Sequence, residues 1–464
     1  MNRLFARHAL LPHGWARDVL LAWDADGVLT QVRSDAATPD TAEAPAVEFV
    51  LPGMVNLHSH AFQRALGGLT ERAVGRPAAA DSAPDSFWTW RDLMYRFAAT
   101  ITPEQVDAIA AQLFVDCLRH GYTALCEFHY LQRDPQGWAY GRPARMAECI
   151  ADAAAAAGIG LTLLPVLYSH AGFGEQALQP AQRRFGAGVT DVLDMVAALA
   201  PRRSGQLEVG AAPHSLRAAT LEQIRGLVDA MPPARPLHIH IAEQQREVDQ
   251  CLAFAGQRPV DYLLANVAVD ARWCLVHATH MDAGETARLA ASGAVAGLCP
   301  STEANLGDGL FPLAPYIAAG GAFGIGSDSH VSHSPVEELR WLEYGQRLAG
   351  RRRNVAATAA VPDVAAFLWQ GALRGGAQAA GRPVGALAVG KRADLLVLDD
   401  THVNLDGVAA ADVLGRFLFS GNDNLVRDVL AGGRWVVNNR VHIAQDAIAH
   451  RYKLAIHQLR EVSR

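Results

Sequence analysis

Lysine is almost absent from this chain, which has only Lys391 and Lys453 among its 41 basic residues. Any site that needs a lysine side chain is therefore excluded from the long segment before residue 391. The chain also lacks an uninterrupted apolar run of about 18 residues, the length needed for a membrane-spanning helix. Its first residues lack the apolar core of a signal peptide. We therefore expect a cytoplasmic protein with no membrane partner.

Paired cysteines are also missing, because the six cysteines stand singly in apolar segments and form no CxxC motif. This usage predicts reduced thiols in the core of a cytoplasmic protein. The formal net charge of -6 argues against a nucleic-acid partner. With half of its residues apolar and 19% charged, the composition is typical of a globular enzyme.

Apolar runs alternate with helical stretches from about residue 51 onward. This alternation predicts parallel βαβ units, and the eight strands it implies favour a (β/α)8 barrel. The predicted barrel strands are residues 51–58, 121–128, 159–167, 207–212, 237–242, 273–277, 294–299 and 322–326. Helices are predicted between or after them, including residues 103–120, 142–157, 221–230, 335–349 and 364–379.

Short β-like segments at both chain ends predict a second, smaller unit. Residues 389–399 form a turn and a buried strand, and residues 428–437 a hairpin around Gly432-Gly433. We predict an α/β protein with a small accessory β-sandwich domain (residues 1–50 and 385–445), the catalytic barrel (51–384) and a C-terminal helix (446–464). A long insertion before Pro103, which contains Phe87 to Arg91, is expected to cover the active site.

Histidines and carboxylates are placed at the ends of several predicted barrel strands. His58 and His60 share one face of the first strand, and two convergent imidazoles suit a zinc-type metal. His240 lies near the end of the fifth strand and Glu243 follows it, His277 ends the sixth, and Asp328 follows the eighth. We interpret His238, deeper in its strand, as a packing residue. For His280, His330 and His333, a surface role and a role behind the site both remain open.

These motifs together resemble the amidohydrolase superfamily. The matching residues are the His58-x-His60 pair, the His240-x-x-Glu243 unit, His277, and Asp328 in a Gly-Ser-Asp context, with residues 389–399 similar to the family's accessory β-domain. The resemblance implies one divalent metal, with zinc as the expected ion, held by His58, His60, His240 and Asp328. Relatives with two metals bridge them with a carboxylated lysine, which this chain cannot supply, and Glu127 is poorly placed to replace it. A single metal is typical of the deaminase branch.

In that branch the implied catalytic residues are Asp328, His277 and Glu243. Asp328 takes a proton from the attacking water, His277 orients or stabilises the nucleophile, and Glu243 passes a proton to the departing nitrogen. The runs 60–65, 87–95, 126–130 and 212–217 look like those of N-formimino-L-glutamate deiminases, enzymes of histidine degradation. That likeness implies a small dicarboxylate substrate, with Arg217, Arg91, Tyr130 and Gln63 as the predicted substrate-binding residues.

Two alternatives remain open at the level of the sequence. One is a related deaminase that acts on a nucleobase or adenosyl compound, for which Trp88 or Trp90 would stack on the ring. The other is a metal-free relative of the barrel with a structural or regulatory role. The family resemblance also suggests a homodimer, with the accessory domain and the C-terminal helix as candidate surfaces. The native metal, whether zinc, iron or manganese, is not fixed by the residue types.

Overall fold

The computed structural model describes residues 2–37, 44–72 and 85–462, so parts of the predicted end segments and of the insertion lie outside the described residues. The strands are β1 (Asn2–Leu11), β2 (Gly14–Trp23), β3 (Leu29–Arg33), β4 (Ala46–Pro52), β5 (Met54–Ser59), β6 (Tyr122–His129), β7 (Gly160–Leu167), β8 (Leu207–Val209), β9 (Ala212–Pro213), β10 (Leu237–Ile241), β11 (Trp273–His277), β12 (Val295–Leu298), β13 (Ala322–Ile325), β14 (Leu395–Leu398), β15 (Val426–Ala431), β16 (Arg434–Asn438) and β17 (Val441–His442).

The α-helices of the described residues are numbered in the same way. They are α1 (Phe87–Ala98), α2 (Pro103–His120), α3 (Arg145–Ala157), α4 (Val189–Leu199), α5 (Leu221–Ala230), α6 (Gln245–Ala255), α7 (Pro259–Asn266), α8 (Ala283–Ala291), α9 (Pro300–Leu306), α10 (Leu313–Ala318), α11 (Pro335–Gly350), α12 (Val364–Ala380), α13 (Ala410–Phe419) and α14 (Gln445–Val462). Among these helices no candidate for a membrane-crossing segment is found.

Parallel strands fill eight positions around a closed barrel. Pairing runs β5-β6-β7-β8 in one half and β10-β11-β12-β13 in the other, and β9 continues the fourth position beside β7. The two halves meet on both sides, because Ser59 bridges to Asp328 and Ala211 bridges to Leu237. The predicted (β/α)8 barrel is therefore confirmed. Its carboxyl edge, where such barrels carry their chemistry, bears the predicted motif residues.

The predicted fourth strand is interrupted at Gly210. Beside it, Ala211 turns to the fifth strand position, donating its N–H to the carbonyl of Pro236 at 3.2 Å. A side chain at Gly210 would clash there, because a Cβ would lie 2.4 Å from the same carbonyl oxygen. The strand is therefore split into β8 and β9 rather than continuous over residues 207–212.

Both chain ends contribute to one eight-stranded sheet in the order β17-β16-β15-β14-β4-β1-β2-β3. Successive side chains of its strands point to opposite faces. Leu395 and Val397 lie in a small core that belongs to the sheet, whereas Leu396 and Leu398 join the main core shared with the barrel. The hairpin predicted around Gly432-Gly433 is formed by β15 and β16.

The chain passes from this sheet into the barrel at Gly53. Leu51 pairs with Leu396 of β14, so β4 carries the sheet to Pro52, past the predicted boundary at residue 50. The Gly53 N–H donates to the carbonyl of Asp394 at 3.0 Å, and a Cβ at Gly53 would lie 2.2 Å from Thr123 Oγ1. The prediction that the first barrel strand starts at Leu51 is therefore wrong, since it starts at Met54.

Helix α2 has the predicted bounds because residues next to its two ends determine where it starts and stops. Thr102 Oγ1 accepts from the backbone N–H of Gln105 at 3.3 Å, and Pro103 occupies the first turn. Gly121 ends the helix with φ of 106°, a left-handed conformation that favours glycine. The six cysteines are free thiols buried in the core, as their isolated positions predicted.

Candidate active site

Three imidazoles and one carboxylate converge at the carboxyl edge of the barrel. The Nε2 atoms of His58 and His240 are 3.0 Å apart. Asp328 Oδ1 lies 3.4 Å from His58 Nε2 and 3.2 Å from His60 Nε2. Donor atoms around a tetrahedral zinc ion, with bonds of about 2.0–2.1 Å, are separated by about 3.3 Å. The spacing of this cluster therefore fits a divalent metal site, and each of its members was predicted from the sequence.

The other ring nitrogens of two histidines are held by backbone carbonyls. His60 Nδ1 lies 2.9 Å from the carbonyl oxygen of Phe128, and His240 Nδ1 lies 3.0 Å from that of His214. Since a carbonyl only accepts, each Nδ1 carries the hydrogen and each Nε2 directs a lone pair into the cluster. Burial lowers the pKa of His58 to about 3 and also lowers the pKa of His60 and His240. Neutral imidazoles are the form that ligates a metal.

Asp328 brings the negative charge to this cluster. Burial by itself would raise the pKa of its carboxyl, but His58, His60 and His277 hold that pKa below its usual range. Its backbone has φ of 48°, and that of His277 has φ of 68°. Such left-handed conformations cost of order 1–3 kcal/mol for residues other than glycine and are concentrated at functional sites.

Glu243 and His277 face the cluster from its open side. His277 Nε2 lies 3.8 Å from Glu243 Oε1 and 3.9 Å from Asp328 Oδ2. Burial raises the pKa of Glu243 to about 7, so its acid and base forms are both accessible near neutral pH. Burial would lower the pKa of His277, but the carboxylates of Glu243, Glu303 and Asp328 raise it to about 10.

Glu127 lies behind the histidine pair. Ser59 Oγ donates to Glu127 Oε2 at 2.6 Å, and the Ala61 N–H donates to Glu127 Oε1 at 2.8 Å. Both carboxylate oxygens thus hold the segment that carries His58 and His60, in keeping with the prediction that Glu127 is poorly placed to bridge metals. His330 is buried and its Nε2 lies 3.0 Å from Ser59 Oγ, which places it behind the site and not on the surface.

The four predicted substrate-binding residues line a single cavity together with His60, His240, Glu243, His277 and Asp328. Gln63 Nε2 donates to the Tyr130 hydroxyl at 2.7 Å, which leaves the hydroxyl hydrogen free to donate elsewhere. Arg217 Nη2 is 3.9 Å from Glu243 Oε2 and 3.8 Å from Glu247 Oε2. The guanidinium of Arg91 lies 4.4 Å from the ring centre of Trp88. The structure therefore brings all four to the cavity beside the cluster.

Residues Phe87–Ala98 of the insertion form a helix, α1, which was not predicted from the sequence. Ser86 Oγ accepts from the Trp88 N–H at 3.3 Å, and Thr89 Oγ1 accepts in return from the Ser86 N–H at 3.0 Å. This capping box starts the helix. Phe87, Trp90, Arg91, Met94 and Tyr95 of α1 line the cavity, so this part of the insertion lies over the site as predicted.

Two site residues were missed by the sequence reasoning. His214, which also lines the cavity, supports His240 through its backbone carbonyl, and a carbonyl contact leaves no signal in the sequence. Glu303 is 4% exposed, and its Oε1 lies 3.3 Å from His277 Nδ1. The position of Glu303 in the sequence could have indicated its role, because this carboxylate follows the seventh barrel strand at the edge where the other motif residues lie.

Comparison with known proteins agrees with this geometry. Residues 49–436 match the model of the amidohydrolase family, and residues 1–45 match that of the formimidoylglutamate deiminase HutF N-terminal domain. A formimidoylglutamate deiminase of Pseudomonas aeruginosa is 54% identical, over 99% of this chain and 100% of that protein. An 8-oxoguanine deaminase of the same organism is 29% identical, over 84% of this chain and 82% of that protein.

Solved structures show the same architecture. An amidohydrolase from Brucella melitensis matches with a TM-score of 0.91 and 43% identity, covering 99% of this chain and 100% of that chain. A zinc-bound adenosine deaminase from Xanthomonas campestris matches with a TM-score of 0.78 at 21% identity, covering 99% and 98%, which supports the fold alone. The chain belongs to the amidohydrolase family, within its formimidoylglutamate deiminase group.

Proposed function

We propose that this protein hydrolyses N-formimino-L-glutamate to N-formyl-L-glutamate and ammonia. The observation that carries the proposal is a pair of arginines in the cavity with unused hydrogen-bonding capacity. The Nε atoms of Arg91 and Arg217 are buried and have no hydrogen-bond partner among the described residues. Guanidinium groups bind carboxylates in a bidentate fashion, so two such groups beside one cluster suit a substrate with two carboxylates.

The metal site has the residues that a zinc ion needs. We assign its ligands as His58, His60, His240 and Asp328, because their donor atoms converge and the Nδ1 contacts of His60 and His240 leave the Nε2 atoms of these two rings free. Zinc is our choice of ion, since imidazole nitrogens and a carboxylate at this spacing suit it. When bound, a divalent ion lowers the pKa of a water molecule towards 7 and so provides a nucleophile at neutral pH.

The chain's own residues then move the protons. The ionised carboxylate of Asp328 accepts the proton of the attacking water. Glu243 takes the hydroxyl proton of the tetrahedral adduct and passes it to the formimino nitrogen, so that the C–N bond breaks, the carbonyl forms, and ammonia and not amide ion leaves. As a carboxylate, Glu243 also pairs with the cationic formimino group, while His277 Nε2, 3.8 Å from Glu243 Oε1, orients the reacting centre. Tyr130 and Gln63 complete the wall against which the glutamate part rests.

Arg217→Ala tests the proposed carboxylate contact. We expect KM for N-formimino-L-glutamate to rise by about 100-fold, because a charge-assisted pair of about 1.5–3 kcal/mol is lost and the neighbouring carboxylates lose a cation. Metal content is expected to stay at the wild-type level. Arg246→Ala is the matched control, since Arg246 also stacks on Trp88, at 4.4 Å, but does not line the cavity beside the cluster. An unchanged KM in Arg217→Ala would remove this residue from the substrate site.

The main rival is a deaminase of a nucleobase or adenosyl compound. An 8-oxoguanine deaminase is among the relatives, but a neutral ring would leave the buried Nε atoms of Arg91 and Arg217 without a hydrogen-bond acceptor. Ammonia release should be measured with N-formimino-L-glutamate, guanine, cytosine and S-adenosylhomocysteine. We expect release from the first at a kcat/KM at least 1000-fold above the others, in the range by which polar sites reject unmatched substrates. No release from N-formimino-L-glutamate would overturn the proposal.

We also propose that the protein is a cytoplasmic homodimer. Exposed apolar side chains are gathered near the C-terminal helix, where Val441 is 54%, Ile443 56% and Leu454 51% exposed. Burial of such a patch against a second copy would remove it from water. Light scattering after size-exclusion chromatography is expected to give twice the chain mass, and Ile443→Asp should shift the protein to monomer. A monomeric wild-type protein at micromolar concentration would refute the dimer.

A further inference from the structure

One buried carboxylate near the site has no part in the roles proposed above. Glu303 follows the seventh barrel strand in helix α9 and is 4% exposed. Its Oε1 atom meets two donors, His277 Nδ1 at 3.3 Å and the backbone N–H of Cys299 at 3.0 Å. The Glu303 side chain therefore reaches the face of His277 that points away from the cluster.

The backbone that carries Glu303 is itself held in place. Ser301 donates to Glu338 twice, from Oγ at 2.6 Å and from its N–H at 2.9 Å. Thr302 Oγ1 donates to the carbonyl of Ser327 at 3.1 Å, next to Asp328. Helix α9 is short, but these contacts tie it to α11 and to the end of the eighth strand. The backbone of Glu303 is therefore fixed, so its carboxylate can hold the neighbouring His277 ring in one orientation.

The His277 ring requires a side-chain contact to fix its orientation. Its backbone and that of Ala278 have φ of 68° and 49°, so the end of β11 leaves the regular strand conformation at this point. A ring at an irregular strand end is not oriented by the sheet. In contrast to His60 and His240, whose Nδ1 atoms meet backbone carbonyls, His277 has a side-chain carboxylate at Nδ1.

We propose that Glu303 is a positioning residue that fixes the ring orientation of His277 by accepting a hydrogen bond from its Nδ1–H. With Nδ1 donating to Glu303, the opposite nitrogen Nε2 faces both Glu243 Oε1 and Asp328 Oδ2, at 3.8 and 3.9 Å. The arrangement is the one that hydrolytic enzymes use when a carboxylate orients a histidine beside the reacting centre. The inference rests on the deiminase reaction proposed above and adds a residue to its catalytic support.

Two variants separate the hydrogen bond from the packing of Glu303. Glu303→Gln keeps an amide oxygen, and the Cys299 N–H holds that oxygen toward His277, so the hydrogen bond from His277 Nδ1–H is kept. Glu303→Ala removes the acceptor. We expect kcat to fall 10- to 100-fold in Glu303→Ala, the range for lost support of a site residue, with KM within threefold of wild type and metal content unchanged. Glu303→Gln is expected to keep kcat within about fivefold of wild type.

Ser301→Ala is the matched control for loosening of helix α9, because Ser301 contacts Glu338 and not His277. We expect it to lower the melting temperature but to keep kcat within about threefold of wild type, because the Ser301 N–H still donates to Glu338 and keeps Glu303 in place. A second readout needs no substrate: ¹⁵N-histidine NMR of the zinc-loaded protein, with the His277 signal assigned through His277→Asn. The signal of an Nδ1–H hydrogen-bonded to a carboxylate or amide oxygen should be present in wild type and Glu303→Gln and lost in Glu303→Ala.

Three results would overturn the inference: wild-type kcat in Glu303→Ala, loss of metal in proportion to activity, or an unchanged hydrogen-bonded Nδ1–H signal of His277 in Glu303→Ala. A wild-type protein that releases no ammonia from N-formimino-L-glutamate would instead refute the proposed function. In that case the NMR pattern would still decide whether Glu303 fixes His277.

Discussion

The His240→Gln variant is expected to purify with little metal and to release ammonia at no more than about one-thousandth of the wild-type rate. The reason is that one of four converging ligands is lost, and without the metal the attacking water keeps a pKa near that of bulk water. His240 contributes Nε2 to the cluster only 3.0 Å from His58 Nε2, so an amide side chain of different length and geometry does not replace it. Metal analysis and steady-state ammonia release measure the two effects.

His238→Gln provides the matched control on the same strand. His238 is fully buried one layer deeper in the barrel, where its Nε2 donates to the carbonyl of Ala379 at 2.9 Å. We expect this variant to lose stability, seen as a lower melting temperature, but to keep its metal and its kcat. If both variants lost metal equally, the loss would reflect damage to strand β10 and not removal of a ligand.

Glu243→Gln is expected to lower kcat by about 10³-fold while the protein keeps a full complement of metal. An amide cannot carry a proton to the departing nitrogen, and general acid–base groups typically contribute 10²- to 10⁴-fold. Because burial raises the pKa of Glu243 to about 7, the wild-type carboxyl can both take and give a proton near neutral pH. The Gln side chain has nearly the same size, so the fold and the cavity are unchanged.

Glu247→Gln distinguishes proton transfer from a general loss of charge. Glu247 lies one helical turn further on, is fully buried, and is as close to Arg217 as Glu243 is. It does not line the cavity. We expect a change of kcat of at most tenfold in this variant, with any larger effect in KM through Arg217. A drop in kcat as large as that in Glu243→Gln would mean that charge around Arg217, and not proton transfer, controls the rate.

The residues that converge at the site were predictable because parallel strands end at one edge. His58, His240 and His277 each follow or end an apolar run, and a barrel brings such positions together whatever the loops do. Helix α2 was predictable for a similar reason, since Thr102, Pro103 and Gly121 set its ends by local contacts. Features set by local signals, such as helix-capping residues and the ends of apolar strands, could therefore be predicted from the sequence.

The missed features depend on contacts between distant segments. The run that contains Leu51 and Met54 belongs to two sheets. Pro52-Gly53 interrupts it, but that this dipeptide separates two sheets is shown only by the close approach of Thr123 to Gly53. Helix α1 was not predicted from the sequence, because its aromatic residues show no clear helical period. Glu303 and His214 act through loop positions and a carbonyl oxygen, neither of which follows from spacing along the chain.

The passage of the chain from the terminal sheet into the barrel at Gly53 links both chain ends to the metal-binding strand. Strand β4 is clamped between β1 from the start of the chain and β14 from its last hundred residues, and a single glycine later the strand that bears His58 and His60 begins. Any slip in register in the terminal sheet would be passed along this continuous backbone to two metal ligands. We therefore expect a barrel that lacks the terminal strands to bind metal weakly and to have low activity. For fusions or insertions at β14, metal affinity is the property to measure.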